Sequence, residues 1–287
     1  MRKQRSMESG LVVNHPLLRL LNYALLLGFV ILVIAPILIV FLVSFKSNQE
    51  YMYSQVWDLP QSFLNFDNFK VYWKRGKMLL GFQNVGILIV VSLITSIFMG
   101  TMVAYVVTRF KFRGRKLILG LYVFAAVLPT TTTAIATFTV IKSLALYNTL
   151  YAGLLLYSAA GVLDIYMFMQ FMYKIPTELD QSARVEGASY FRVYWSVILP
   201  LMRPAIATIS ILKVVGIYND FFIPTVYMPS SKLSTITSGL MLFTQDRMSQ
   251  WNVLSAGIIA VLLPTLIIYL AAQRFIISGV TDGAVKS

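Results

Sequence analysis

Three ionisable side chains, Asp164, Lys213 and Asp220, stand inside stretches of this chain that are otherwise apolar. Charged groups in such a setting usually face a bundle interior or a water-filled cavity, where they line a path for a polar solute or pair with one another. Lys213 and Asp220 are seven residues apart, two helical turns, which puts them on one face about 10 Å apart along the axis. Beside them, Tyr218 and Asn219 add an aromatic ring and an amide, a set suited to a sugar whose hydroxyls need polar partners and whose C–H face needs an aromatic cover. A purely structural reading competes: internal hydrogen bonds or an ion pair with another span, with Asn219 and Asp220 bracing a helix break near Pro224. A third reading has Asp164 and Asp220 share a proton and activate water, as in an aspartyl hydrolase. Against it, Leu163 and Asn219 precede the two aspartates, so neither sits in a Gly-x-Gly-Asp setting.

Other chemistries find few residues. With no cysteine, disulfides, thiolate metal sites and cysteine nucleophiles are excluded. The lone histidine, His15, cannot build a histidine metal cluster or a Ser-His-Asp triad, so no catalytic or metal-binding residue is assigned. No G-x-x-x-x-G-K-[ST] loop occurs, so any nucleotide chemistry must belong to a partner.

The elements that carry these residues are membrane spans. Hydrophobic residues make up 58% of the 287 and charged residues 12%, against about 25% charged in a soluble domain. A bilayer core requires roughly 20 apolar residues per helix, and six segments qualify: 20–45, 84–108, 117–141, 151–173, 204–228 and 253–278. The expected architecture is all-α, a polytopic membrane protein with a single membrane domain over residues 20–278. An N-terminal arm (1–19) and a C-terminal tail (279–287) flank it. The first apolar run is too long for a cleavable signal peptide. Proline falls inside several spans, at Pro36, Pro129, Pro224 and Pro264. With both termini inside, fifteen basic residues lie on inner segments and eight on outer ones; this bias explains the net charge of +13 without nucleic acid and orients the chain. No internal repeat of the kind common in secondary transporters is visible.

Residues 174–203 then form a cytoplasmic insert of unusual character. Thr177 and Asp180 have the spacing of a capping box, and Gly187 supplies a residue free to take positive φ and stop a helix. Ser189 caps a second helix through Phe191, Tyr194, Trp195 and Ile198, which Pro200 and Pro204 end. Two short helices joined by a glycine elbow are expected. An amphipathic helix lying on lipid headgroups would explain the aromatic residues; a knob for a cytoplasmic partner also explains the elbow, which lipid does not require.

This insert resembles the EAA loop of ABC-importer permeases, E-A-A-x-x-D-G followed by I-x-L-P. It reads Gln181-Ser182-Ala183, then Glu186-Gly187, then Val197-Ile198-Leu199-Pro200. Tyr218-Asn219-Asp220-Phe221-Phe222-Ile223-Pro224 is similar to the W-N-D/E-F-x-x-P stretch of carbohydrate permeases. Gln273-Arg274-Phe275 with Ser278 to Lys286 is similar to the Q-R-…-G-x-T-x-G-A-V-K ending of the smaller maltose-transporter-type permeases. The resemblance implies a type I importer permease fold. It implies that residues 177–199 are coupling helices seated on a cytoplasmic ATPase dimer, through Asp180, Gln181, Ser182, Ala183, Glu186, Gly187, Ala188 and Ser189. Glu186 offers a polar contact, and Gly187 allows close backbone approach. Where the family has its first glutamate this chain has Gln181, so either Gln181 keeps a neutral hydrogen bond or Asp180 takes over the contact. Further implications are a second, related permease and an extracellular or periplasmic sugar-binding protein reached by the outer loop 229–251, which carries Lys232, Gln245, Asp246, Arg247 and Trp251. A tail of Gly283, Ala284, Val285 and Lys286 is expected against the ATPase. This chain itself binds no cofactor and is not an enzyme; ATP and Mg belong to the ATPase. The implied cargo is a di- or oligosaccharide, with a phosphate ester drawn by Lys213 as the rival.

Overall fold

The computed structural model describes residues 16–244 and 250–284, and every regular element among them is helical. Four stretches are long and apolar enough to cross a membrane: Arg19–Phe45, Met78–Arg109, Leu150–Tyr173 and Trp251–Leu270. Two bent helix pairs, Arg115–Val127 with Thr132–Ser143 and Tyr190–Leu201 with Arg203–Asn219, raise the number to six if each pair is one span.

In chain order, α1 (Pro16–Phe45) leads to two short helices, α2 (Asn48–Tyr53) and α3 (Asp67–Arg75). The central mast is α4 (Met78–Arg109), followed by α5 (Arg115–Val127) and α6 (Thr130–Ser143). Next come α7 (Leu150–Ser158), α8 (Val162–Tyr173) and α9 (Glu178–Val185). One continuous rod joins α10 (Tyr190–Val193), a π-helical turn over Tyr194–Ile198 and α11 (Leu199–Leu201). The chain ends with α12 (Arg203–Asn219), α13 (Phe222–Tyr227), α14 (Ile236–Gly239) and α15 (Trp251–Ala284).

Lipid gives no hydrophobic drive between helices, so close approach depends on small residues. On α4, a Cβ at Gly100 would lie 3.0 Å from the Phe168 ring and 3.2 Å from the Ala160 Cβ. On α7, a Cβ at Gly153 would lie 2.9 Å from both Leu88 and Met228. These glycines let α4 lie against α7 and α8 at backbone distance. The packing forms two separate cores. One gathers Tyr72, Val85, Leu88, Tyr157, Tyr218, Tyr227 and Val261; the other gathers Ala104, Phe168, Met172, Tyr194, Ile198 and Ile209. Most of α1 and α5 is exposed along the chain's own surface, leaving those faces to lipid or another subunit.

Several expected boundaries shift. The second span begins at Met78 rather than 84, after Lys77 turns the chain with φ 49°. The third is two helices parted at Leu128–Pro129, with Pro129 in the N-cap position of α6. The expected 204–228 span breaks after Asn219, and Pro224 falls in the first turn of α13, where its missing N–H costs nothing. Pro36 and Pro264 stay inside continuous helices. Pro200 does not end the second helix of the insert. The preceding π turn, with Leu199 N donating to Tyr194 O, opens the hydrogen-bond ladder just ahead of it, and the stop comes at Met202. The last helix does not end at 278 but runs to Ala284, so Gly283 and Ala284 are helical; Val285 and Lys286 lie outside the described residues.

Candidate functional sites: a helical elbow and two broken spans

The elbow between α9 and α10 is built from backbone. Gly187 takes φ +85°, Gly187 N donates to Arg184 O and Ala188 N to Ala183 O. This pair of bonds is a Schellman ending. An added Cβ at Gly187 would meet nothing within 4 Å of the chain itself, so the glycine is required for its dihedral and not for close approach within this subunit. Ser189 caps the next helix, its Oγ accepting from Arg192 N at 3.2 Å. Arg184 closes the corner, donating to Ala188 O at 2.7 Å and lying 4.1 Å over the Tyr190 ring. Gln181, Ser182, Glu186, Gly187 and Ser189 are exposed, Ala183 and Ala188 are half-buried, and Val185 is 88% exposed. The outward face therefore offers an amide, a hydroxyl, a carboxylate and an uncovered valine.

Thr177 and Asp180 do not form the expected capping box. Thr177 makes no side-chain cap, because Asp180 is drawn into the bundle by a cation the local pattern could not reveal. Arg109, the last residue of α4, places Nε 2.8 Å from Asp180 Oδ2 and donates from Nη2 to Ile175 O at 2.8 Å. Asp180 Oδ1 is buried with no hydrogen-bond partner. Burial holds the Asp180 carboxyl above the usual carboxylate range, although Arg109 beside it pulls the other way. Asp180 thus ties α9 to α4, while Gln181 next to it points outward.

The second site is a pair of helix breaks. Between α7 and α8 the chain leaves the helix at Ala159–Gly161, and Asp164 reaches back to accept from Gly161 N at 3.0 Å. Between α12 and α13 it leaves at Asp220, whose Oδ1 accepts from Phe222 N at 2.7 Å and Ile223 N at 3.3 Å. Each break strands helix-terminal groups that need partners, and the other span supplies them. Lys213 of α12 donates to Ala159 O at 3.0 Å and stands 3.8 Å from Asp164 Oδ2. Tyr157 of α7 donates to Asp220 Oδ2 at 2.9 Å. Lys213 and Asp220, though on one helix, thus serve different partners. Thr237 covers the Tyr218 carbonyl at 2.7 Å.

Of the path candidates, Tyr218 is buried with its hydroxyl on Val261 O at 3.2 Å. Asn219 is exposed, and its amide donates to Val215 O of its own helix at 2.9 Å. Asp164, Lys213 and Asp220 are half-buried. Asp164 is engaged by one backbone amide and the facing Lys213, Asp220 by two backbone amides and the facing Tyr157, an arrangement for capping rather than for a shared proton. Among the described residues no three His, Cys, Asp or Glu side chains stand together as a metal site. In the 229–251 loop, Lys232 turns its carbonyl to Asn84 Nδ2 at 3.1 Å and Trp251 opens α15 half exposed; Gln245, Asp246 and Arg247 lie outside the described residues. Sequence reasoning missed Arg109 and Tyr157 as site residues: Arg109 enters only the count of inner basic residues, and no local pattern marks Tyr157.

Residues 96–281 match the family described as the binding-protein-dependent transport system inner membrane component. The chain belongs to that family. The matched region holds the elbow and both breaks and leaves out α1–α3. Among relatives of this transport component, the chain is 29% identical over 270 residues to the diacetylchitobiose uptake system permease protein of Streptomyces coelicolor, covering 93% of this chain and 88% of that one. It is 26% identical over 282 residues to the maltodextrin transport system permease protein of Streptococcus pneumoniae, covering 98% and 100%. Its fold is shared with a chain in the crystal structure of a bacterial ABC transporter involved in the import of the acidic polysaccharide alginate, at a TM-score of 0.76 and 21% identity, covering 90% and 96%. A transport component of this family with several apolar helices is a multi-pass membrane protein.

Proposed function

We propose that this chain is a transmembrane permease subunit of an ATP-driven importer that moves a di- or oligosaccharide into the cell by alternating access. The fold is read as six spans, with α5–α6 as the third and α12–α13 as the fifth, and with both termini cytoplasmic. On this reading α9 and α10 are coupling helices that sit in a cleft of a separate ATPase dimer. That dimer holds ATP and Mg, and a second, related permease completes the pathway. A sugar-binding protein delivers cargo to the opposite face.

The observation that carries this reading is the elbow: a capped, Schellman-terminated helix pair tied to the end of α4, with Gln181, Ser182, Val185 and Glu186 uncovered on its outer side. Rigid attachment to α4 is what a lever needs, because closure of the ATPase dimer then moves a span and not just a loop. The saccharide class rests on relatives that carry maltodextrin and diacetylchitobiose in their names and on the exposed Asn219 beside exposed Phe221 and Phe222. The phosphate-ester alternative loses its support, since Lys213 already faces Asp164.

The test is affinity purification of the tagged full chain from gently solubilised membranes, with every co-eluting protein identified. The expected result is an ATPase and a second permease, with the ATPase lost from Gly187→Trp. A chain that elutes alone, or an ATPase indifferent to Gly187→Trp, removes the coupling role.

A further inference from the structure

The two helix breaks support each other, and a lysine is a costly choice for that task. The carbonyl freed at Ala159 needs one donor, which a hydroxyl would supply; hydroxyls stand close by, since Thr95 of α4 donates to the Ser158 Oγ at 2.8 Å one residue earlier. Lys213 instead brings a charge whose side chain is only 12% exposed, and its placement reads the carbonyl and Asp164 together. In return Tyr157, from the helix ahead of the first break, holds Asp220 at the second.

The brace also spans the seam between the two cores. Along α7–α8, Tyr157 belongs to one core, and Ala160, Ile165 and Phe168 pack in the other. Along α12, Ile209 lies in the second core and Ile217 and Tyr218 in the first, with Lys213 between them. Next to the braced Asp220 stands Asn219, whose exposed amide is flanked by Phe221 and Phe222, 47% and 40% exposed. The Asn219 Nδ2 is held by Val215 O, but the group as a whole stays exposed, and polar side chains within spans face a water-filled path or neighbouring protein rather than hydrocarbon.

We propose that Lys213 and Tyr157 are positioning residues for solute passage: by cross-bracing the breaks at Ala159–Gly161 and Asp220 they set where Asn219 stands in the path. This rests on the permease reading above. Neither residue needs to touch solute. Each holds a helix end, and the end of α12 carries Asn219.

The absence of cysteine makes the test direct. Asn219→Cys serves as a reporter in the full chain, expressed in its native host and probed in right-side-out and inside-out vesicles with a charged, membrane-impermeant methanethiosulfonate. Val185→Cys on the exposed elbow is the control. The reporter is expected to react from at least one side. Lys213→Ala is expected to change its rate at least fivefold and Tyr157→Phe at least threefold, while Lys213→Arg stays within twofold and Val185→Cys is unmoved. Rates within twofold in both Lys213→Ala and Tyr157→Phe overturn the positioning role and leave the permease reading intact. A parallel change at Val185→Cys means loss of fold and also rejects the role. A reporter inert from both sides in every background removes Asn219 from any aqueous path, and the proposal falls together with the path reading.

Discussion

The elbow and the broken spans each contain an ion pair, built on opposite plans. Arg109 and Asp180 join α4 to α9, elements far apart in the chain, at 2.8 Å, with side chains 7% and 16% exposed. One Asp180 oxygen has no partner at all, so the carboxylate depends on Arg109. Lys213 and Asp164 stand farther apart, 3.8 Å, and each also serves a backbone group left by a helix end. The first pair is a tether between elements. The second is a set of caps that happen to be charged. Removing one member of the tether strands a buried charge with one oxygen already unpartnered; removing Lys213 frees the Ala159 carbonyl but leaves Asp164 its bond from Gly161 N.

The largest effect should therefore come from the tether. Truncating one side of a buried pair costs about 3–5 kcal/mol, whereas replacing both with apolar residues of similar volume is often near neutral. Asp180→Ala and Arg109→Ala are each expected to lower the melting temperature of the purified chain sharply and to weaken ATPase co-purification. The double variant Arg109→Leu with Asp180→Leu should recover most of the stability. Burial raises the Asp180 pKa despite Arg109, which says that pairing does not fully offset desolvation and favours this outcome. A double variant that loses as much as the two singles combined would show that other contacts of these residues dominate, and the contrast with the caps would go.

The helix breaks can be tested against a region with no packing demand. Gly100 lies under Phe168, a fully buried ring that cannot yield, and under Ala160 at the first break. Gly100→Ala overfills that contact and should cost on the order of 1–3 kcal/mol. Gly120 on α5 has nothing within 4 Å, so Gly120→Ala should gain roughly 0.5–1 kcal/mol from the lost glycine flexibility. Opposite signs in parallel thermal unfolding curves are the expected outcome. Equal signs would mean that α4 and α8 can part at the break without cost.

The elbow and the breaks also differed in how well they could be read in sequence. Gly187 and Ser189 act through their own dihedrals and their own neighbours, so the elbow they make was legible from residue type and order. The apolar runs were legible too, because bilayer thickness sets a length. What escaped depends on tertiary partners. Thr177 and Asp180 have capping-box spacing, but Arg109 lies 71 residues from Asp180 and outcompetes the local bond. The break at Ala159–Gly161 has no proline, and its carbonyl is covered by Lys213 from another span. The short helix α3 was invisible to hydropathy; it is held by Tyr72, whose hydroxyl donates to Ile236 O at 3.0 Å and whose ring would sit 2.6 Å from a Cβ at Gly257.

A smaller effect isolates backbone strain at the elbow. At φ +85° an L side chain meets its own carbonyl, so Gly187→Ala should cost about 1–2 kcal/mol with no steric clash from elsewhere. Gly187→Asn should be milder, because asparagine tolerates the left-handed region. If alanine is as stable as glycine, the elbow is softer than its hydrogen bonds suggest and a poor lever.

The smallest effect tests whether the two regions are independent. Ser189→Ala removes one cap bond on an exposed helix start, a loss of about 1 kcal/mol. Ser189→Asp, which keeps an acceptor, should be neutral. Because the Ser189 hydroxyl and carbonyl bond to Arg192 N and Val193 N of its own turn, the change should appear as faster amide exchange at Arg192 and nowhere near the breaks. The Phe222 amide, held by Asp220 and through it by Tyr157, should exchange at the same rate as before. Faster exchange at Phe222 would mean that strain at the elbow passes along α10 and α12 to the second break even at rest, so the tether and the caps would have to be treated as one mechanical unit.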